Sequence, residues 1–432
     1  GMTTTLTLQD VLLEGSGALR IAEGNNRNLT LVTNNYRDAR TSGSVFYSGI
    51  QFDCSGSVNW TANGNVIIEA SWSYYEGSAG TGNSVITING DLTIDAGAFD
   101  FNRNVDASLT VTVSGNTFIN NNTTWVRFLD RYDEDINFTT TNMYVYGGSN
   151  NTFHGGSNPT GDAVFNITND LIITGSGTIA TFINSTGNTA TSELNVGRDI
   201  VITDGDIRFA NTNAPTEINI GRNLILTGST SDFYGQYNSN STKSVDFNVT
   251  GNIEINSGDF YGSVGQGTTT IDIVENLDLN AGRFYGINNT TAANNAAVTF
   301  ACNNIDFDGG TFHLFSGRIS DGKTISATIN GDIDINFLSA TDVVTFIGLT
   351  GTNNPILDLN ISGNMSVSGN FPGSYFMSSS STGAETVDIG GNLIVSAGDV
   401  YFVGQESGLT TSHDITTNIN GNIVISGGNT RL

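Results

Sequence analysis

Four carboxylates recur at one place in four successive repeats of this chain. Glu254, Asp278, Asp306 and Asp334 each stand two positions after an Asn or Asp that opens a short apolar pair. Carboxylates in file repel one another, and a hard divalent cation such as Ca²⁺, taken by carboxylate and carbonyl oxygens, would relieve that repulsion. A solvated acidic face is the simpler reading. A second acidic file is expected through Glu193, Glu217, Asp246 and Asp272 on the preceding strand. The densest charged segment runs from Arg127 to Asn137, where Asp133, Asp135 and Asn137 alternate as in a calcium loop. That segment lacks the Gly and closing Glu of an EF-hand, and a surface loop holding its own salt bridges accounts for it more simply.

Aromatic residues form another set. Tyr261, Tyr285, His313 and Tyr401 stand nine positions after their anchors, and Tyr234 reaches the same place after a two-residue insertion. Pointing outward, such a row could hold sugar rings on its faces; stacking for stability is the plainer alternative. Enzymatic chemistry finds little support. A polysaccharide lyase or glycoside hydrolase needs basic and acidic groups converging, or a close carboxylate pair. The chain has 15 Lys and Arg, of which Lys243 and Lys323 are the only lysines. His154, His313 and His413 fall in different repeats, so neither a His-rich metal site nor a Ser/His/Asp triad is suggested. A regular Thr array of the kind that orders water on a flat face is also missing from the outward positions.

What positions these groups is a repeat. Gly90-Asp91-Leu92-Thr93-Ile94-Asp95-Ala96-Gly97-Ala98-Phe99 is rewritten at Gly251 to Phe260 and at Glu275 to Phe284. Anchors from Asn65 to Asn422 follow one another at 24 to 32 residues, and Asn28-Leu29-Thr30-Leu31 reads as an earlier unit 37 residues before Asn65. After each anchor the first and third residues are apolar, with Thr117 the exception. Period-two alternation marks a strand with one buried face. A similar run precedes each anchor, as in Leu109 to Val113, and a third starts about eight residues after it, at Phe99 or Phe260.

Three short strands per unit, each unable to bury its inward face alone, predict stacked coils. The expected fold is therefore all-β: a single-stranded parallel β-helix of 14–15 coils, right-handed because parallel crossovers normally are. Propeller blades need about 40–45 residues and four strands, more than these units supply. Residues 1–27 are expected to form an N-terminal cap with an irregular first coil, and 28–432 the helix, ending in mid-coil as a piece of a longer polypeptide. Asn and Asp at the anchors are expected to form turns, with the preceding Gly relieving them, and to hydrogen-bond from coil to coil as an amide ladder.

Composition narrows the partners. A formal net charge of -26 argues against nucleic acid, which needs a basic surface, and against insertion in anionic membranes. No run approaches the eighteen apolar residues of a spanning helix. Cys54 and Cys302 lie about ten coils apart, beyond disulfide reach, and Cys302 continues the inward alternation of Val298 and Phe300 as an apolar filler.

The motif Gly-[Asn/Asp]-aliphatic-x-aliphatic-x-x-Gly-x-Phe, seen again in near form from Gly391 to Val400, resembles the repetitive β-helical regions of large secreted surface proteins of Bacteroidota. The resemblance implies an adhesin-like stalk at the outer cell surface that needs no cofactor, joined to further domains and meeting extracellular glycans or proteins. The expected function is a non-enzymatic structural or adhesive segment; the alternative is a carbohydrate-active β-helix enzyme.

Overall fold

The computed structural model describes residues 1–432 apart from 1, 17–18, 25–26, 41–49, 55, 71–72, 75–81, 96–97, 101–107, 121–124, 129–134, 157–160, 186–190, 295–296, 320–322, 350–355, 370–371, 379–383, 398, 405–413, 428 and 432. Among the described residues the regular structure is all β-strand, paired in parallel from coil to coil. Two compact units divide the chain, Gly1–Pro215 and Thr216–Leu432. Each is a β-solenoid in which three faces are visited in turn.

In the first unit the first face stacks Met2–Thr7, Arg27–Thr33, Val58–Ala62, Ser84–Ile88, Leu109–Val113, Ile136–Thr140, Ala163–Ile167 and Ser192–Val196. The second face stacks the strands that follow the anchors, from Val11–Leu13 to Ile200–Ile202, and the third is broken into shorter sheets. In the second unit the faces run from Thr216–Ile220 to Asp414–Ile419, from Leu224–Leu226 to Ile423–Ile425, and from Ser231–Gln236 to Asn429–Arg431. Among the described residues each unit thus has eight strands on its first face, which makes sixteen coils against the 14–15 expected.

The difference lies at the start of the chain. Met2 pairs with Arg27 and Val11 with Tyr36, so residues expected to include a cap are a coil in register. Asn28 is not an anchor but part of the first-face strand Arg27–Thr33; the anchor is Asn35, 30 residues before Asn65, and the long insertion disappears. Asn35 escaped notice because its inward pair is Tyr36 and Asp38, not two aliphatics. Asp38 is buried because the Arg40 guanidinium meets it inside, at 2.6 Å from Nε, and Tyr36 packs edge-on against Trp60.

Elsewhere the alternation holds as the sequence predicts. Val245, Phe247 and Val249 point in with Ile253 and Ile255, and stacking puts like on like. Phe233, Phe260, Phe284 and Phe312 form a column with near-parallel rings 4.9–5.7 Å apart. Thr117, the exception in the apolar pairs, is buried with its hydroxyl 3.0 Å from that of Thr140. Cys302 is buried as expected, and burial pushes its thiol pKa up.

The third strand departs from strict alternation. Leu314 and Phe315 are both buried, as are Phe346 and Ile347, so two successive side chains are packed away there. The Gly-, Asn- and Ser-rich segment from Gly235 to Ser244 is tied down: Gln236 Nε2 donates to Ser241 Oγ at 3.3 Å, and the Asn238 backbone N–H donates to Gln236 Oε1 at 3.1 Å.

Candidate functional site

The anchors build the most extensive polar array. In the first unit, backbone N–H groups of Asn35, Asn65, Asp91 and Asn116 donate to side-chain oxygens of Asp10, Asn35, Asn65 and Asp91 at 2.7–3.1 Å. In the second unit the same step links Asn223 to Asn252, Asn252 to Asn276, Asn304 to Asp332, and so on to Asn422. Amide-to-amide bonds add to it at Asn116–Asn142 and Asn276–Asn304. The anchors are therefore rungs of a ladder whose usual donor is the main chain. Turn conformation is not what the preceding glycine serves. A Cβ on Gly64, Gly90, Gly115, Gly251, Gly331, Gly363, Gly391 or Gly421 would lie 2.1–2.7 Å from the ladder oxygen one coil back, and none of these has positive φ. Left-handed backbone is needed instead at Gly258, Gly282 and Gly310, just before the aromatic, with φ of 83°, 81° and 94°.

The first acidic file forms as the spacing predicts. Glu254 pairs in register with Asp278, Asp278 with Asp306, and Asp306 with Asp334, all on the outer side of the second face. Partial burial raises the pKa of Asp278, and Asp306 and Glu254 raise it further. For Asp306, burial is again first, followed by Asp308 and Asp334. The file ends where Ser366 follows Asp334. A single column offers Asp278 and Asp306 two like-charged neighbours each and Glu254 and Asp334 one, not a cage. Among the described residues no group of three or more Asp, Glu, His or Cys is arranged to hold a metal.

The second file does not run as expected. Glu217 and Asp246 are in register, but Asp246 is followed by Thr270, and Asp272 stands in the neighbouring column beside Asn248. Asp272 is four residues before its anchor and Asp246 six, and on a strand that two-residue difference changes the column. Asp133 lies outside the described residues. Asp135 is exposed, and its carboxylate accepts the Asp162 backbone N–H at 2.8 Å. Asp162 in turn accepts the backbone N–H and hydroxyl of Thr191 at 3.0 and 2.6 Å, which lowers its pKa. Asp135 thus begins a minor ladder at the entry to the first face.

The tyrosines stack in the predicted order. Tyr234 and Tyr261 are 4.5 Å apart with planes at 1°, Tyr261 and Tyr285 5.1 Å at 5°, and Tyr285 and His313 5.3 Å at 15°. The expectation that they present open faces needs correction. Tyr261 is 7% exposed, and both its faces and both of Tyr285's are covered by ring neighbours. Tyr401 pairs through its backbone with Tyr375 and Arg431; its side chain lies outside the described ones.

Spacing alone did not reveal the parallel file two residues earlier, Asp232, Asp259 and Arg283. Tyr261 Oη donates to Asp259 at 3.1 Å, and Arg283 grips the same carboxylate in a fork, 2.7 Å from Nε. Burial raises the Tyr261 pKa, with the Asp259 charge adding to it. The signal was present in the Asp-Phe-Tyr and Arg-Phe-Tyr triplets, whose first and third residues share a face. His313 is mostly buried with Nδ1 unpartnered, and burial lowers its pKa to about 4.

These features define a parallel β-solenoid whose recurrent polar residues join coil to coil. No family model matches the chain, and neither a curated protein nor a solved structure does.

Proposed function

We propose that the chain is a non-enzymatic structural or adhesive segment of a larger secreted cell-surface protein. The observation that carries this reading is where the polar side chains go. Anchor amides bond to the next coil's backbone, the Tyr261 hydroxyl and Arg283 both engage Asp259, and the tyrosine rings cover one another. Groups that could bind or catalyse are used to fasten coils, as suits a supporting segment.

Binding to extracellular glycans or proteins fits the ring edges and exposed polar columns better than the ring faces. Weak Ca²⁺ binding along Glu254, Asp278, Asp306 and Asp334 is a further part of the proposal, supported by the mutual repulsion of those carboxylates. The decisive experiment incubates the protein with acidic and neutral glycans and follows both chain cleavage and retention. Cleavage of any glycan would defeat the support reading; retention without cleavage is the adhesive outcome. For calcium, a melting midpoint unchanged between added Ca²⁺ and chelator would remove the ion from the account.

A further inference from the structure

We propose that Glu385 is a protonation latch: a neutral carboxylic acid inside the second unit that keeps its coil closed and loosens it on losing its proton. Glu385 belongs to the first-face strand Ala384–Ile389, where it shares the inward side with Val387 and Ile389. Its column runs through Val245, Thr269, Val298, Ile325 and Leu357 before it and Ile415 after it, so a carboxyl stands where the repeat otherwise places an apolar residue or Thr. It is 1% exposed, and neither carboxyl oxygen has a hydrogen-bond partner.

Among the described side chains, none on the surrounding strands is placed to neutralise a charge there. Leu357 and Leu359 precede it, Met365, Val367, Leu393 and Val395 face inward from the second face, and Val400 does so from the third. The ionisable residues of these strands are Asp358, Asp388, Asp399, Asp414, Tyr375, Tyr401 and Arg431. Asp358 and Asp414 are exposed, Asp388 is on the outer side of Glu385's own strand, and Asp399 opens the third-face strand. Arg431, the one cation, occupies the register of Tyr401, one step from the inward Val400. An unpaired carboxylate in such a place gives up its charge, and burial pushes the Glu385 pKa up to about 8.

The consequence has a definite sign. When the coil opens, the carboxyl returns to its ordinary value of 4.5, so the closed form holds a proton that the open form releases. Between those two values each pH unit favours opening by about tenfold, and above about pH 8 the effect levels off.

Hydrogen exchange tests this in the full chain. After correction for intrinsic rates, amides of Leu357–Ile361 and Ala384–Ile389 are expected to lose protection about tenfold per pH unit from roughly pH 5 to 8, relative to Val245–Val249. In Glu385→Gln that dependence disappears. Identical pH profiles in wild type and Glu385→Gln would overturn the proposal. If Glu385→Gln does not fold, Glu385→Leu refills the apolar column and serves the same comparison. Carbon-13 titration of the wild-type carboxyl gives an independent reading, and a Glu385 midpoint in the ordinary glutamate range overturns the latch whatever the variants do.

Discussion

The side-chain oxygen of Asn304 accepts the backbone N–H of Asp332 at 2.8 Å, and the residue before Asp332, Gly331, would place a Cβ 2.1 Å from that same oxygen. One atom therefore dictates two residue types. The anchor must offer an oxygen one coil back, and its neighbour one coil forward must leave room for it.

Gly331→Ala is expected to displace the Asn304 side chain and leave the Asp332 N–H without its acceptor, at a cost of about 1–3 kcal/mol. Asn304→Asp keeps the oxygen but replaces the Nδ2 that donates to Asn276 Oδ1 by an acceptor; a flip of the Asn276 amide brings its own Nδ2 to that place, so the substitution should cost less. Asp91 and Asp332 already serve as rungs. Hydrogen exchange at the Asp332 amide checks the ranking; equal protection in Gly331→Ala and wild type would sink the steric account of the glycine.

The acidic file gives a prediction of opposite sign. Asp278 is half-buried, and burial together with Asp306 and Glu254 raises its pKa. A carboxyl whose pKa is raised in the folded state favours folding at acid pH and loses that contribution as pH rises. Asp278→Asn should therefore raise the melting midpoint at neutral pH, by roughly 0.2–1 kcal/mol in stability. The gain should shrink toward acid pH and in high salt, where repulsion is screened. A midpoint lowered by the substitution at neutral pH and low ionic strength would mean that the carboxylate is held by something attractive.

His154 points the other way. It is 2% exposed with Nδ1 unpartnered, and burial lowers its pKa to about 4. The folded state then binds fewer protons than the unfolded chain, whose histidine titrates near 6.5. Stability should fall as pH drops from about 6.5 to about 4, by about 1.4 kcal/mol per pH unit for this group. His154→Phe should flatten that part of the curve. Denaturation midpoints at closely spaced pH values between 4 and 7 are the measurement, and an unchanged slope in the variant counts against a buried neutral imidazole.

The coil and its columns were legible in the sequence because each rests on one backbone period. Glu254, Asp278, Asp306 and Asp334 share an offset from their anchors, and equal offsets become equal registers. The same rule explains the misplacement of Asp272, whose offset differs from that of Asp246 by two. Asn35 was hidden because a buried Asp38–Arg40 pair stands in for an aliphatic side chain, a substitution that hydrophobic patterning cannot see. Glu385 was hidden for the reverse reason, since a Glu beside Ala384 and Thr386 reads as surface until the register places it over Leu357. Solvent exposure of the tyrosines was beyond spacing alone, because stacked rings shield one another.

That shielding can be separated from hydrogen bonding at Tyr261. Tyr261→Phe keeps the ring between Tyr234 and Tyr285 and removes only the hydroxyl donated to Asp259, which Arg283 still holds. The expected cost is about 1.5–3 kcal/mol, the range for a bond to a charged group, and falls toward the low end because Asp259 stays paired. Tyr261→Ala removes the ring as well, opening a gap between two neighbours that are fixed by their own strands, and should cost about 3–5 kcal/mol. If Phe and Ala prove equally damaging by thermal unfolding, the hydroxyl and not the stack is the stabilising element. If the rings instead met sugars face-on, Tyr261→Ala would abolish glycan retention; with the faces covered, retention by the folded variant should change little.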